Sequence, residues 1–180
     1  MQDEKDLQGK VVLVTGASRG IGYAASLEAA RRGAHVIAVA RTVGGLEELD
    51  DEIQELGSSA TLVPLDLKDG DAIDRLGAAI FERWGVLDGL IANAAMLGVL
   101  SPLPHVSPED FEKVMTINVI ANYRLVRSLD LLLRQSERGA ARLKAGEQFG
   151  PTPRRRGRHH RTGTGAHRGG RHTGGNTPVG

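Results

Sequence analysis

Three closely spaced glycines give this sequence its clearest chemical feature. Gly16, Gly20 and Gly22 lie within the segment 15–22, between an apolar run and an alanine-rich stretch. Glycines between a strand and a helix allow a tight turn, close approach of the backbone to a pyrophosphate, and anion binding at the helix N-terminus. The segment therefore predicts a nucleotide phosphate site. The spacing is GxxxGxG and not the commoner GxGxxG, so a purely structural turn is the alternative for the loop taken alone.

Three other polar side chains are candidates for the same site. Asp66 follows the third apolar run, Asn93 follows the fourth, and Asn118 interrupts the apolar face of a long predicted helix. Each has a plainer interpretation. Asp66 suits an Asx-type turn after a strand, and a buried asparagine such as Asn118 needs hydrogen-bond partners that a structural contact would supply.

Charge at the end of the second strand bears on the choice of nucleotide. An acidic side chain there would bond a ribose 2′-hydroxyl and repel a 2′-phosphate. This sequence has Ala40-Arg41-Thr42 instead, and Arg19 lies in the glycine loop. Arginine pairs well with phosphate, so NADP(H) is favoured over NAD(H). Each arginine could equally be a solvated surface charge.

The elements that must position these residues alternate along the chain. Apolar runs predict four strands, and each of the first three is followed by a helix that ends near a glycine. Strands that are apolar on both faces and alternate with helices indicate an α/β fold with a parallel sheet covered on both sides. The strands are predicted at 11–14, 35–40, 61–65 and 87–92, and the helices at 20–32, 46–56 and 71–84.

A longer helix is predicted from Pro108 to about Arg134, with Ser107 as its N-cap. Its buried stripe follows steps of three and four residues. The stripe consists of Phe111, Val114, Asn118, Asn122, Leu125 and Leu129.

The motifs, in this fixed order, resemble those of the short-chain dehydrogenase/reductase family over about the first 135 residues. The resemblance implies a Rossmann-type, doubly wound parallel sheet, and we expect this chain to contain only about four of its strands and the long helix. It also implies that the glycine loop wraps the cofactor phosphates, that Asp66 with Leu67 binds adenine, and that Asn93 with Ala94 lines the cofactor. The residues around the phosphates would be Gly16, Ser18, Gly20, Ile21 and Gly22, and the charge argument adds Arg19 and Arg41 beside the 2′-phosphate.

The catalytic part of this resemblance is incomplete. The family uses an Asn, Ser, Tyr, Lys set, of which Asn118 is the only member retained here. The two tyrosines are Tyr23 and Tyr123, neither has a lysine four residues later, and the last lysine is Lys144. We therefore expect an alcohol/carbonyl oxidoreductase by ancestry that is inactive in this chain. We also expect strand four to be an unpaired apolar edge.

Charge divides the chain into two unlike parts. Residues 1–137 hold 13 basic and 21 acidic side chains, whereas residues 138–180 hold 10 basic and 1 acidic. The first part is predicted to be an incomplete NADP(H)-binding domain. Residues 150–180 contain one valine and no Ile, Leu, Met, Phe, Trp or Tyr, so we expect a disordered tail.

Three interpretations of the tail compete. A basic tract could bind nucleic acid, although it lacks aromatic side chains for stacking on bases. Its four histidines could bind a metal, although their spacing fits no defined site, and we expect none. Those histidines are His159, His160, His167 and His172.

The third interpretation is a frameshift near residues 136–142. Residues 151–156, written with suitable synonymous codons and read one base earlier, give Ala-Tyr-Ala-Ala-Ser-Lys, which contains TyrxxxLys. The gene sequence tests this idea, because stop codons in that frame would exclude it.

Composition restricts the setting and the partners. The chain has no cysteine, its N-terminus has no apolar signal segment, and no apolar run is long enough to span a bilayer. We expect a cytoplasmic protein without membrane contact. The expected partner is a nicotinamide nucleotide, with a small-molecule substrate only in intact family members. A non-catalytic subunit, which forms a homo-oligomer or pairs with an intact homologue through the helix from Pro108, is the alternative.

Overall fold

The computed structural model describes residues 5–137, 139–143 and 148–149. Its first three strands come from short runs rich in valine, isoleucine and alanine, which favour a sheet buried on both faces. Strands β1 and β2 are almost wholly buried. The predicted strands are confirmed to within two residues at each end: β1 (Val11–Thr15), β2 (His35–Ala40), β3 (Ala60–Pro64) and β4 (Gly89–Ala92).

Three helices connect these strands, as the periodicity predicts. Helix α1 spans Gly20–Arg31, α2 spans Val43–Glu55 and α3 spans Gly70–Trp84. Helix α3 has a side-chain cap, since the Asp69 carboxylate accepts a bond from the Ala72 N–H at 2.9 Å. It ends at Gly85, whose φ of 67° is the left-handed conformation that glycine adopts at low cost.

The strand order creates a crevice at the carboxyl ends of the strands. The order is β3-β2-β1-β4-β5-β6, and β1 pairs in parallel with both β2 and β4. The connections therefore run to one side of β1 up to β3 and to its other side from β4 onward. Open parallel sheets bind ligands outside the carboxyl ends of the strands at such a switch point. Here that point lies between Thr15 and Ala92, where β1 and β4 end.

Strand β5 (Ala140–Leu143) corrects the expectation that the sheet ends after about four strands. It pairs in parallel with β4, so β4 is not the unpaired edge that the sequence suggested. A two-residue strand, β6 (Gln148–Phe149), pairs antiparallel with β5. Ala141 is buried in the core while Arg142 is exposed. Because a charged residue interrupts the apolar pattern, the strand was not predicted, and its residues were assigned to the tail. Apart from residues 139–143 and 148–149, that segment, with its four histidines, lies outside the described part of the chain.

The long helix begins as predicted but is not uniform. Ser107 Oγ accepts a bond from the Asp110 N–H at 3.1 Å, which confirms the N-cap. The helix consists of α4 (Pro108–Met115), a π-helical turn (Thr116–Ile120) and α5 (Ala121–Gln135). Leu125 and Leu129 are buried, but Phe111 is 50% exposed, so the predicted stripe is wrong at its first position. The buried residues of the long helix all belong to α5, so α4 does not extend the stripe into the core.

Two hydrophobic cores cover opposite faces of the sheet. The one beneath α1 and α2 contains Val14, Ala38 and Leu46, and the one beneath α3 and α5 contains Leu13, Ile80 and Leu125. Successive residues of β1 enter different cores because strand side chains alternate between faces. The sheet is therefore the layer common to both cores.

Asp88 joins three distant segments just before β4. Its carboxylate accepts bonds from Ser136 Oγ at 2.6 Å, Lys10 Nζ at 3.1 Å and the Val11 N–H at 2.9 Å. Burial of Asp88 opposes its ionised form, but these donors outweigh it and hold the pKa of the carboxyl below its ordinary value. These bonds thus hold the start of β1 and the segment after α5 together at the amino ends of the strands, opposite the crevice.

Candidate nucleotide-binding site

The glycine loop lies at the carboxyl end of β1 with no room for side chains at two of its glycines. A Cβ on Gly16, whose φ is 68°, would lie 2.9 Å from Asn93 Nδ2. A Cβ on Gly22 would lie 2.2 Å from the Gly16 carbonyl oxygen. Gly20, with a φ of 60°, has nothing within 4 Å of its Cβ position, so its side is open. Backbone is therefore closely packed at Gly16 and Gly22, while Ser18, Arg19 and Ile21 of the loop line the cleft.

Asn93 holds the ends of β1 and β4 together beneath this loop. Its Nδ2 donates to the Thr15 carbonyl at 3.1 Å and approaches the Gly16 carbonyl at 3.4 Å. The buried Thr15 hydroxyl in turn accepts a bond from the Ala94 N–H at 3.0 Å. These bonds hold the carboxyl ends of β1 and β4 in a fixed relative position at the switch point.

Asp66 forms the Asx-type turn that was considered from the sequence, and it also lines the cleft. Its Oδ1 accepts a bond from the Lys68 N–H at 3.0 Å, which is an Asx-type turn. The carboxylate remains exposed, whereas Leu67 is buried in the core. Asp66 can therefore offer its free carboxylate oxygen to a ligand while the turn holds it in place.

One cleft of about 690 Å³ brings most of the predicted residues together. Its size suits a small-molecule or cofactor site. Gly22 and Asn118 are outside the lining, while the other ten predicted residues belong to it. The cleft is lined by Gly16, Ser18, Arg19, Gly20, Ile21, Val39, Ala40, Arg41, Thr42, Gly45, Leu65, Asp66, Leu67, Lys68, Asn93, Ala94, Ala95, Met96 and Ile117.

The charge of the lining is mainly positive. Arg19, Arg41 and Lys68 are exposed cations, and Asp66 is the one carboxylate in the lining. Within the described part of the chain, none of the three cations forms an ion pair. They are therefore available to an anionic ligand.

Lys68 and Gly45, at the start of α2, line the cleft but were not predicted from the sequence. Lys68 follows Asp66 by two residues, and this proximity was the available signal. Gly45 lies beside the glycine loop, since a Cβ there would be 2.7 Å from the Ser18 carbonyl oxygen. The consecutive glycines Gly44 and Gly45 at the start of a helix were the signal for this contact.

Asn118 lies behind the cleft wall, in the π-helical turn. Its Oδ1 accepts a bond from the Met96 N–H, and its Nδ2 donates to the Met96 carbonyl, both at 2.9 Å. The structural contact considered from the sequence is therefore present, and Asn118 also lies where the helix is irregular. Since Met96 lines the cleft, Asn118 fixes the loop that follows β4.

Neither tyrosine lies in the cleft lining. Tyr23 donates its hydroxyl to Glu52 at 2.6 Å, joining α1 to α2, and this hydrogen bond raises its pKa to about 12. Tyr123 is 63% exposed on α5. Both positions agree with the sequence-based view that neither tyrosine replaces the missing acid/base residue.

The described residues contain no group of three or more His, Cys, Asp or Glu side chains that could hold a metal ion. No helix in this part of the chain is long and apolar enough to cross a membrane.

Fold and site together define a Rossmann-type α/β protein with a cleft at the switch point of its sheet, and the family is clear from comparison with known proteins. The model of the short chain dehydrogenase family matches residues 10–141, so the chain belongs to this family. A fatty acyl-CoA reductase of Acinetobacter baylyi is 40% identical over 69% of the chain and 43% of its own length. A sorbitol dehydrogenase of Cereibacter sphaeroides is 33% identical over 80% of the chain and 55% of its own length. The chain thus spans about half the length of these curated relatives.

Solved structures agree with this assignment. The short chain dehydrogenase of Shigella flexneri superposes with a TM-score of 0.71 at 33% identity, covering 77% of this chain and 55% of its own. A protein of Escherichia coli CFT073, described as a short chain dehydrogenase complexed with NADPH, superposes with a TM-score of 0.72 at 34% identity. That match covers 76% of this chain and 59% of the other. The Rossmann-type fold predicted from the sequence is thereby confirmed.

Proposed function

We propose that this chain binds NADP(H) in the cleft at the switch point between β1 and β4. The observation that carries the proposal is the glycine loop, where a Cβ at Gly16 or Gly22 would meet backbone or Asn93, while Gly20 faces open space. Such a loop before a helix N-terminus suits a pyrophosphate. The residues proposed to contact the nucleotide are Gly16, Ser18, Arg19, Gly20, Ile21, Arg41, Asp66, Leu67, Asn93 and Ala94. Gly22 acts by leaving space for Gly16.

The proposed preference for NADP(H) over NAD(H) is supported by charge. Arg19 and Arg41 line the cleft without ion-pair partners in the described residues, and the first turn of α2 has no acidic residue. A 2′-phosphate beside them would gain charge-assisted hydrogen bonds. The NADPH complex of the Escherichia coli neighbour is consistent with this proposal.

The proposed ancestral reaction interconverts an alcohol and a carbonyl. A bound nicotinamide supplies hydride transfer, and the protein must supply a proton donor and the positioning of the substrate. The sequence lacks TyrxxxLys, and neither Tyr23 nor Tyr123 lines the cleft. Absence of general acid/base catalysis removes about 10²- to 10⁴-fold in rate. We therefore propose that this chain binds nucleotide without appreciable turnover.

Calorimetry with NADPH and NADH tests the binding. The protein should bind NADPH at least about tenfold more tightly, because each charge-assisted hydrogen bond contributes roughly 1.5–3 kcal/mol. Arg41→Gln should weaken NADPH binding about 10- to 100-fold and leave NADH binding nearly unchanged. Arg31→Gln, on the exposed surface of α1 away from the cleft, is the matched control. Equal affinity for both nucleotides would overturn the proposed preference, and absence of binding would overturn the proposed function.

Turnover is tested separately by following NADPH absorbance with a panel of aldehydes and ketones. Binding without oxidation of NADPH is the expected result. Steady NADPH-dependent reduction of any carbonyl would refute the proposed inactivity while leaving the nucleotide site intact.

Pairing through the long helix is a second candidate function, supported by its exposed apolar side chains. Tyr123 is 63% exposed and Leu131 is 73% exposed. An exposed apolar face of a helix suits packing against a second copy or an intact homologue. Analytical ultracentrifugation should then detect a dimer that Leu131→Glu dissociates, whereas a monomer at all concentrations would contradict self-pairing.

A further inference from the structure

Two asparagines lie one helical turn apart at the junction of the π turn and α5. Asn122 Nδ2 donates to the backbone carbonyl of Asn118 at 2.7 Å. Within the described part of the chain, the other side-chain polar atom of Asn122, Oδ1, is buried and has no hydrogen-bond partner. Asn122 therefore uses half of its amide and leaves the other half unsatisfied.

Packing does not explain an asparagine at this place. Its neighbours on the inner face of the helix, Ala121, Leu125 and Leu129, are all nearly inaccessible to solvent. A buried acceptor without a donor is costly, and an apolar side chain would avoid that cost. Only the Asn122 Nδ2 makes a hydrogen bond, so the role of this asparagine must lie in that bond to the Asn118 carbonyl.

The contact leads directly to the cleft. The carbonyl that Asn122 holds belongs to Asn118, whose side chain bonds both backbone groups of Met96. Met96 lines the cleft next to Ala95. The helix is locally irregular here, since the Ala121 N–H reaches back five residues to the Thr116 carbonyl. A side-chain donor at this point can keep Asn118 aimed at Met96 where regular helical geometry is lost.

We propose that Asn122 is a positioning residue, which holds Asn118 and through it the Met96 wall of the nucleotide cleft. The effect on nucleotide affinity rests on the proposed function, whereas the effect on Met96 does not. The order of contacts is Asn122 to the Asn118 carbonyl, then the Asn118 amide to Met96, then the cleft.

A matched pair of substitutions at one position tests this proposal. Asn122→Ala removes the donor, whereas Asn122→Ser restores one, because a helical serine hydroxyl can bond the carbonyl four residues earlier. Hydrogen exchange of the Met96 amide should be about 2- to 12-fold faster in Asn122→Ala, the range expected for loss of one hydrogen bond. Asn122→Ser should return to near the wild-type rate. A residue with a merely structural role would not separate these two variants.

NADPH affinity should follow the same order, with Asn122→Ala about 2- to 12-fold weaker and Asn122→Ser close to wild type. Asn118→Ala combined with Asn122→Ala should be no worse than Asn118→Ala alone, since both act through one contact. Ser128→Ala, which removes a polar group from the same helix beside Gly77 of α3, is the control and should change neither measurement.

Each outcome decides the proposal. Equal Met96 exchange in the alanine and serine variants, or unchanged exchange in Asn122→Ala, overturns it. If the wild type binds no NADPH, the proposed function fails, and Met96 exchange alone judges Asn122. Should Asn122→Ala not fold, Asn122→Leu keeps a similar volume without a donor and carries the same expectation.

Discussion

Neighbouring glycines at the start of α2 should respond oppositely to the same substitution. A Cβ on Gly44 meets nothing within 4 Å, whereas a Cβ on Gly45 would lie 2.7 Å from the Ser18 carbonyl oxygen. Neither has a positive φ. Gly44→Ala should therefore stabilise the fold by about 0.5–1 kcal/mol, the usual helical advantage of alanine over glycine. Gly45→Ala gains the same advantage but incurs about 1–3 kcal/mol from overpacking.

Gly45→Ala should therefore lower the free energy of unfolding by up to about 2.5 kcal/mol, whereas Gly44→Ala should raise it above that of the wild type. Because the clash is with the glycine loop, Gly45→Ala should also weaken NADPH binding, while Gly44→Ala leaves it unchanged. Chemical denaturation followed by circular dichroism measures the stability, and calorimetry measures the binding. The reasoning is refuted if Gly45→Ala equals or exceeds Gly44→Ala in stability and binds NADPH like the wild type.

Three further changes test the packing and the pH dependence. Gly77→Ala would place a Cβ 2.1 Å from Ser128 Oγ, so it should destabilise by about 1–3 kcal/mol, and adding Ser128→Ala should recover part of this loss in a denaturation experiment. Asp88 has a pKa below its ordinary 3.8, so its stabilisation is present above that pH and is lost as pH falls through the lower folded value. Asp88→Asn should thus flatten the acid limb of unfolding free energy against pH; an unchanged limb contradicts this. Burial, and then the charge of Arg83, lower the pKa of His35, so stability should fall as pH drops below the ordinary 6.5, and His35→Gln should lose this slope in the same titration.

The parts of the fold that are apolar and local were predictable. The strand 35–40 was predicted with the boundaries that the structure gives, because its six residues enter the sheet interior almost without interruption. The helix from Pro108 was predicted at its first residue because Ser107 caps it through a local bond. These signals depend on neighbours in sequence, and sequence displays them directly.

The parts that depend on distant contacts were not predictable. Strand β5 contains Arg142 and follows a polar segment, and it becomes a strand by pairing with β4 about fifty residues earlier. The exposure of Phe111 was not predictable either, because none of the residues of α4 is buried although its apolar side chains follow helical spacing. A constant helical repeat was assumed across 116–120, where the repeat changes.

The candidate site was predicted in the same uneven way. The glycine loop, Asp66 and Asn93 are motif residues and were found from their order along the chain. Lys68 and Gly45 reach the cleft through tertiary structure, and Met96 does so through Asn118. The predicted disorder of residues 150–180 concerns residues outside those that the structure describes, and it stays a prediction. The proposed frameshift near residues 136–142 is a statement about the gene, and it stays a prediction too. The family match ends at residue 141, within the interval 136–142 proposed for the frameshift.

The two cores on opposite faces of the sheet have a consequence for cooperativity. The cleft takes lining residues from the side of α1 and α2, such as Gly45, and from the side of the long helix, such as Ile117. A molecule bound there contacts both layers, so either layer can open only after the ligand is released. Local opening of one layer then carries the free energy of ligand binding in addition to its own. A bound nucleotide would thus link the two layers energetically, and it should slow amide exchange in both by a similar factor.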